Sequence, residues 1–179
     1  MHGTGAVVPA RRTRLAAFVA VWLGLLAFNR AVRRVAGGSM RPALHPGDVI
    51  LVLPARRRGL RRGDVVVVRD PRNPARETVK RVVGLPGERV TVRGDTLVVA
   101  GIPHDEPYVH NRRGLARSRP SGSWMVPPSC VFVLGDDREC STDSRTYGPL
   151  PRELVVGRVA VGLWPPRSPP HVVPRPSES

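Results

Sequence analysis

Short valine-rich segments separated by turn residues recur from residue 48 to residue 163, and this pattern limits the possible fold more than any other feature. β-branched residues favour strands, whereas Pro-Gly and Gly-Asp pairs mark turns. The predicted strands are 48–53, 64–69, 79–85, Arg89–Arg93, 96–100, Cys130–Leu134 and 154–163. Gly94 and Asp95 lie where a turn would close a hairpin over residues 89–100. The sequence therefore predicts a mainly β domain with many turns.

Two other regions lack this pattern. Residues 104–128 are polar and rich in turn formers, which predicts a long surface excursion. Residues 165–179 are rich in proline, which predicts a disordered tail.

The segment 15–28 is apolar, carries no charge and is flanked by arginines. It could be a removable export signal, a buried core helix or an uncleaved membrane anchor. As a helix it would be about 21 Å long, short of the roughly 30 Å hydrocarbon core, although snorkelling arginines can compensate. No small-x-small cleavage site follows at the right distance. We therefore predict a basic N-terminal segment over 1–14, an anchor helix over 15–34, a catalytic domain over 35–167 and a Pro-rich tail over 168–179.

The formal net charge is +15. Such a charge could bind a nucleic acid or an anionic membrane, or it could simply lie on a solvated surface. No helix-turn-helix, zinc-finger spacing or aromatic–basic platform accompanies the charge, so no nucleic-acid partner is expected. Cys130 and Cys140 match no zinc or redox motif, and the histidines are scattered. We expect neither a metal nor a cofactor, and the sequence leaves open whether the two cysteines pair.

Lys80 is the only lysine among 29 basic residues; all the others are arginine. Arginine keeps its proton in a protein, whereas a desolvated lysine can lose it. Lys80 lies in a valine-rich segment, and burial there would bring its pKa towards the range of a general base. The alternative is that chance left one lysine on an exposed strand.

Ser39 is the best candidate for a nucleophile beside such a base. It lies in the sequence Gly-Gly-Ser-Met-Arg-Pro, residues 37–42, just after the apolar segment. The glycines permit close approach of a substrate backbone, and backbone N–H groups in such a bend can stabilise an oxyanion. Taken alone, the same residues would equally suit a linker between an anchor and a domain.

Residues 135–148 follow an apolar strand and alternate charged with hydroxyl-bearing side chains. This composition predicts a hydrogen-bonded loop in which Asp143 and Arg145 pair and orient their neighbours. A solvated turn is the alternative.

Taken in order, these segments resemble the type I signal peptidase family, which uses a serine and a lysine. The resemblance rests on residues 39–42 with 46–52, 62–66, 80–87, 135–145 and, at the end, 147–151, 157–158 and 164–167. The ending is most similar to compact members such as the mitochondrial inner-membrane peptidases and their bacterial relatives. The family implies a compact antiparallel, barrel-like β domain preceded by one transmembrane helix.

The resemblance also implies roles for individual residues. Ser39 would be the nucleophile and Lys80 the general base, forming an acyl-enzyme. Supporting residues would be Ser141, which orients the lysine amine, together with Arg81, Asp143 and Arg145. Gly37 occupies a position where many bacterial members carry an oxyanion-binding serine. The residues expected to line shallow substrate pockets are Met40, Leu44 and Val79.

By the same resemblance, the partners are exported precursors bearing signal peptides and a lipid bilayer. The expected location is the plasma membrane, single-pass, with the catalytic domain on the extracytoplasmic side, or the mitochondrial inner membrane in a eukaryote. Alternatives are a self-cleaving repressor, a maturation protease with one dedicated substrate, and a non-catalytic basic adaptor tethered to the membrane. An adaptor should tolerate Lys80→Arg, whereas a protease should lose activity.

Overall fold

The computed structural model describes residues 22, 31–54, 59–94, 96–109 and 121–164. The chain divides into two compact units, Met1–Val32 and Arg33–Ser179. Most of the first unit lies outside the described residues, and so do the predicted basic segment 1–14 and the tail 168–179. Among the described residues, no helix has the length and apolar character needed to cross a bilayer.

Eleven strands are present among the described residues, and all but the first residue of β1 belong to the second unit. They are β1 Val32–Arg34, β2 Val49–Leu53, β3 Val65–Asp70, β4 Asn73–Gly84, β5 Arg89–Arg93, β6 Thr96–Val99, β7 Ile102–His104, β8 Gly122–Met125, β9 Cys130–Leu134, β10 Leu150–Pro151 and β11 Val155–Trp164. One short helix, α1, spans Ser144–Tyr147, and a 3-10 turn spans Arg152–Leu154.

The strands form two sheets, of seven and four strands. The larger has the order β1-β2-β11-β3-β4-β9-β10, and the smaller has the order β7-β6-β5-β8. The pairs of known register are antiparallel, including β3 with β4, where Val66 faces Lys80. The expected barrel-like closure is wrong: among the described strands, the larger sheet is open and ends in two short strands, β1 and β10.

The predicted anchor helix is also wrong at its carboxyl end. Residues 32–34 form strand β1 at the edge of the larger sheet, so a helix cannot continue to residue 34. Two of these three residues are arginines, and an edge strand leaves their side chains able to reach solvent. The rest of the predicted anchor, apart from residues 22 and 31, lies outside the described residues.

The predicted strands coincide with observed ones, and the hairpin over residues 89–100 is confirmed by the pairing of β5 with β6. Two differences stand out. Strand β4 begins at Asn73 rather than residue 79, because its polar first half pairs with β3. The segment 104–128, predicted to be a surface excursion, contains strand β8 and a buried glutamate, Glu106.

The cores lie on the faces of the two sheets. The smaller sheet buries valines and Leu97 against Phe132 and Leu134 of β9. Gly84 lies at the junction, where an added Cβ would come within 2.9 Å of the Phe132 Cβ atom. No side chain fits there, so glycine lets the end of β4 lie close to Val90 of the smaller sheet and to Phe132. A second core, around Ile50 and Met40, lies beneath the bend that carries Ser39.

Candidate active site

Ser39 lies in a bend between β1 and β2 that is fixed from both sides. The Val35 N–H donates to the Asp48 carbonyl at 2.8 Å, and the Leu44 N–H donates to the Met40 carbonyl at 2.9 Å. Met40 and Leu44 are buried and anchor the bend in the apolar core. The bend is therefore a fixed element of the domain rather than a linker, and Ser39 itself remains partly exposed.

Lys80 reaches Ser39 from strand β4. Its side chain is only 2% exposed. The Nζ atom lies 3.1 Å from the Ser39 Oγ atom and 3.1 Å from the carbonyl oxygen of Val79. Ser39 Oγ also lies 3.4 Å from that carbonyl. The amine and the hydroxyl are thus within proton-transfer distance, as a base and its nucleophile must be.

The environment of Lys80 favours the neutral amine. Burial lowers its pKa from 10.5 to about 8. Asp143 acts in the opposite direction and raises it, while Arg76 lowers it further. With a pKa of about 8, roughly one amine in ten is neutral at pH 7, compared with fewer than one in a thousand for an ordinary lysine.

Residues 135–145, called here the 135–145 loop, pack directly against Ser39. The Asp137 N–H donates to the Ser39 carbonyl at 3.0 Å. An added Cβ at Gly135 would lie 2.6 Å from the same carbonyl oxygen and would collide with the Ser141 side chain. Glycine at position 135 therefore lets the loop approach both serines.

Ser141 does not make the predicted hydrogen bond to the Lys80 amine. Its hydroxyl oxygen is buried and has no hydrogen-bond partner among the described residues, whereas Lys80 bonds Ser39 and a backbone carbonyl. The Lys80 amine instead has the Ser39 hydroxyl and the Val79 carbonyl oxygen at 3.1 Å. The structure nevertheless places Ser141 against Gly135, on the Ser39 side of the loop.

Asp143 and Arg145 pair within the loop. The guanidinium donates to both carboxylate oxygens, each at 2.8 Å, and both residues are buried. Asp143 also caps helix α1 and accepts the Gly135 N–H at 3.1 Å. The Arg145 Nη2 atom donates to the Arg138 carbonyl at 2.9 Å. The pair thus connects the two ends of the loop. Two parallel hydrogen bonds between a guanidinium and a carboxylate fix the relative orientation of both groups.

Arg81, next to Lys80 on β4, is fully buried. It donates to the two carboxylate oxygens of Asp136, at 2.8 Å and 2.6 Å, and to the Gly63 carbonyl at 3.0 Å. The strand of the lysine is therefore connected to the 135–145 loop by a buried ion pair.

An open cleft of about 190 Å³ lies over the two candidate residues. Met40 and Val79 line it, whereas Leu44 is buried and does not, so the structure does not place Leu44 at a substrate pocket. Leu44 instead fills the core beneath the bend. Gly37 also lines the cleft, and an added Cβ there would meet nothing within 4 Å. The cleft is small beside the roughly 300–1,000 Å³ of typical small-molecule sites.

The described residues contain no group of three or more histidine, cysteine or acidic side chains that could hold a metal ion. Both cysteines are free thiols. Cys130 is buried, while Cys140 is exposed and lines the cleft.

Sequence reasoning missed two residues near the site, Glu106 and Tyr108. Glu106 is 2% exposed and binds Arg138, which lies 32 residues away in the chain. Their segment contains no apolar strand pattern, so nothing local distinguished Glu106 from a solvated acid.

Comparison with known proteins identifies the family to which the chain belongs. Residues 10–164 match the family described as signal peptidase, peptidase S26. The chain belongs to this signal peptidase family. Curated relatives match most of the chain. Signal peptidase I of Bacillus caldolyticus is 37% identical over 163 residues, which cover 84% of this chain and 87% of the relative. Signal peptidase IB of Staphylococcus aureus is 34% identical over 148 residues, covering 73% and 76%.

A solved signal peptidase I structure, from Enterococcus faecalis, also superposes on the chain. The TM-score is 0.51 at 30% identity, covering 57% of this chain and 98% of the solved one. The signal peptidase resemblance is therefore confirmed, and the chain is a serine endopeptidase of the signal peptidase I type.

Proposed function

We propose that this signal peptidase is anchored in a membrane and removes N-terminal signal peptides from exported precursor proteins, with Ser39 as nucleophile and Lys80 as general base. The observation that carries this proposal is the 3.1 Å separation between the Lys80 amine and the Ser39 hydroxyl. The substrate class follows from relatives named signal peptidase I and IB.

In the first step, neutral Lys80 takes the proton from the Ser39 hydroxyl as the oxygen attacks the scissile carbonyl carbon. The tetrahedral intermediate collapses when the lysine ammonium gives that proton to the leaving amine nitrogen, and the peptide C–N bond breaks. This leaves an ester between Ser39 and the signal peptide, while the mature protein departs with a free amino terminus.

In the second step, Lys80 deprotonates a water that attacks the ester. The Ser39 oxygen leaves and recovers its proton from the lysine, so the enzyme returns to its starting state. We assign oxyanion binding to the Ser39 backbone N–H, with Gly37 leaving that side of the cleft open. The Ser141 hydroxyl, buried and without a partner among the described residues, is available to accept a bond from the lysine ammonium when it forms.

The supporting residues hold the catalytic groups in place and take no part in making or breaking bonds. Arg81 holds the lysine strand through Asp136, and the Asp143–Arg145 pair holds the 135–145 loop against Ser39. Met40 and Val79 line the cleft, where they would contact the small side chains that precede the cleavage site. We place this domain on the extracytoplasmic side of a plasma membrane, or at the mitochondrial inner membrane in a eukaryote.

The test is cleavage of an exported precursor by purified full-length protein in detergent. Ser39→Ala and Lys80→Arg should each reduce cleavage by at least about a thousandfold, because a single member of a catalytic pair is sufficient to disable the whole unit. Glu153→Gln, which changes an exposed acid that does not line the cleft, is the control and should cleave normally. Full activity in Lys80→Arg would reject the mechanism, whereas a wild-type protein that cleaves no precursor would favour the non-catalytic adaptor. Cleavage of one precursor alone would indicate a dedicated maturation protease.

A further inference from the structure

The segment that follows β7 turns back towards the 135–145 loop and buries a carboxylate there. Glu106 is 2% exposed. Its Oε1 atom accepts from the Arg138 guanidinium at 2.5 Å and from the Tyr108 hydroxyl at 2.7 Å. Burial raises the pKa of Tyr108, so its hydroxyl remains a donor. A segment that the sequence pattern assigns to the surface thus contributes two residues near its start to a buried ionic cluster.

This cluster is connected to the nucleophile through few bonds. The Arg138 Nε atom donates to the Gly135 carbonyl at 3.0 Å. Gly135 lies against the Ser39 carbonyl, which also accepts the Asp137 N–H at 3.0 Å. Arg138 is therefore held on one side by Glu106 and itself holds the part of the loop that touches Ser39.

The same segment also contacts the strand of the base. The Tyr108 ring covers the Arg81 guanidinium, whose central carbon lies 4.0 Å from the ring centroid. Arg81 adjoins Lys80 in the chain and pairs with Asp136 of the loop. The two residues of the segment thus contact both parts of the site: Glu106 the loop, Tyr108 the lysine strand.

The cluster lowers the stability of the folded protein. The second oxygen of Glu106 is buried and has no hydrogen-bond partner among the described residues. An unmade bond of this kind costs about 1–3 kcal/mol, and replacing a buried ion pair by apolar residues of similar size is often neutral or stabilising. Stability alone does not account for an ionic cluster at this position.

We propose that Glu106 and Tyr108 are positioning residues of the active site, which hold the 135–145 loop and strand β4 at the spacing that the Ser39–Lys80 pair requires. This inference rests on the proposed function, because it concerns the efficiency of that reaction. Neither residue touches the substrate; both act through Arg138 and Arg81.

The first measurement separates kcat from KM for precursor cleavage by the full chain in detergent. A misplacement of about 1 Å can reduce a rate a hundredfold. Glu106→Gln should therefore lower kcat by about ten- to a hundredfold, and Tyr108→Phe by a smaller factor because it keeps the ring over Arg81. KM should change less than about threefold, since the cleft lining is untouched. The matched control is Glu88→Gln, which breaks the Arg62–Glu88 ion pair.

The second measurement excludes a purely structural role. In the double variant Glu106→Leu with Arg138→Met, both charges are removed and no unpaired charge is left buried. The free energy of unfolding should therefore lie close to the wild-type value. Activity should remain low, because the loop is no longer held.

The outcomes are distinct. Activity that recovers together with stability in the double variant would overturn the positioning role, and so would a Glu106→Gln enzyme with the kcat of the Glu88→Gln control. Wild-type protein that fails to cleave any precursor would instead defeat the proposed function on which the inference rests.

Discussion

The two sheets bury different kinds of side chain. In the described strands of the four-stranded sheet, no ionisable side chain is buried, and the core consists of apolar residues such as Val90 and Leu97. The seven-stranded sheet and its loops bury four cations: Lys80, Arg81, Arg138 and Arg145. Among the described residues, the buried cations therefore lie only in the larger sheet and in the loop and short helix that follow β9.

Within the charged region, one cation differs from the rest. Each buried arginine has a carboxylate partner: Asp136, Glu106 or Asp143. Lys80 has none among the described residues; its partners are a hydroxyl and a backbone carbonyl. A buried charge without a counter-ion gives up its charge more easily than one that is paired. In the proposed mechanism, the arginine pairs hold the site in place and the lysine, which has no carboxylate partner among the described residues, exchanges a proton.

The largest expected effect comes from breaking one of these pairs. Asp136→Asn leaves the fully buried Arg81 guanidinium without its carboxylate, and should lower the free energy of unfolding by about 3–5 kcal/mol. Chemical denaturation in detergent measures this loss. A change below about 1 kcal/mol, as for an exposed pair, would mean that the ion pair does not support the site.

A change in the apolar sheet should affect stability without affecting catalysis. Leu97→Ala removes a side chain that is 1% exposed and should cost about 2–5 kcal/mol. At a temperature where the variant is fully folded, its kcat should equal that of the wild type. A clear fall in kcat there would show that the two sheets are not separate in function.

The charged region also contains a natural chemical handle. Cys140 is exposed and lines the cleft, whereas Cys130 is buried. N-ethylmaleimide should therefore modify Cys140 first and reduce cleavage more than about tenfold by filling the cleft, a loss of about 1.4 kcal/mol in transition-state stabilisation. Asp137 raises the pKa of this thiol, so mildly alkaline labelling is appropriate. Cys140→Ser should be active and insensitive to the reagent; inhibition that persists in it would place the effect elsewhere.

The smallest effect is expected at Gly37. An added Cβ there meets nothing within 4 Å, so Gly37→Ser should fold normally. We expect kcat to stay the same or rise by up to about threefold, since one further donor could reach the oxyanion. The same cleavage assay checks this. A fall of tenfold or more would mean that the open space is needed by the substrate.

The apolar parts of the fold were predictable from sequence because they depend on local patterns. Valine-rich runs gave the long strands, and Gly94 with Asp95 gave the hairpin between β5 and β6. The short strands β1, β7, β8 and β10 were not predicted, because few residues cannot show a clear alternation and their pairing depends on neighbours distant in the chain. The openness of the larger sheet likewise depends on its two edge strands.

The sequence indicated which candidate residues to consider, and the structure brings Ser39 and Lys80 together, but many contacts around them could not be predicted. Lys80 was identified by being the only lysine, and Ser39 by its bend and by the family resemblance. Sequence could not show that Ser141 lacks the expected bond or that Leu44 faces the core. It also could not reveal Glu106, whose partner is 32 residues away. Such contacts are set by packing between distant segments.

The pH dependence of kcat/KM for precursor cleavage tests the central claim most directly. Only the neutral amine can accept the Ser39 proton, so the rate should be low at pH 6, rise with pH and reach half its maximum at about 8, the pKa that burial gives Lys80. A midpoint near 10.5, the ordinary value for lysine, or a rate that does not change between pH 6 and pH 10, would contradict the account.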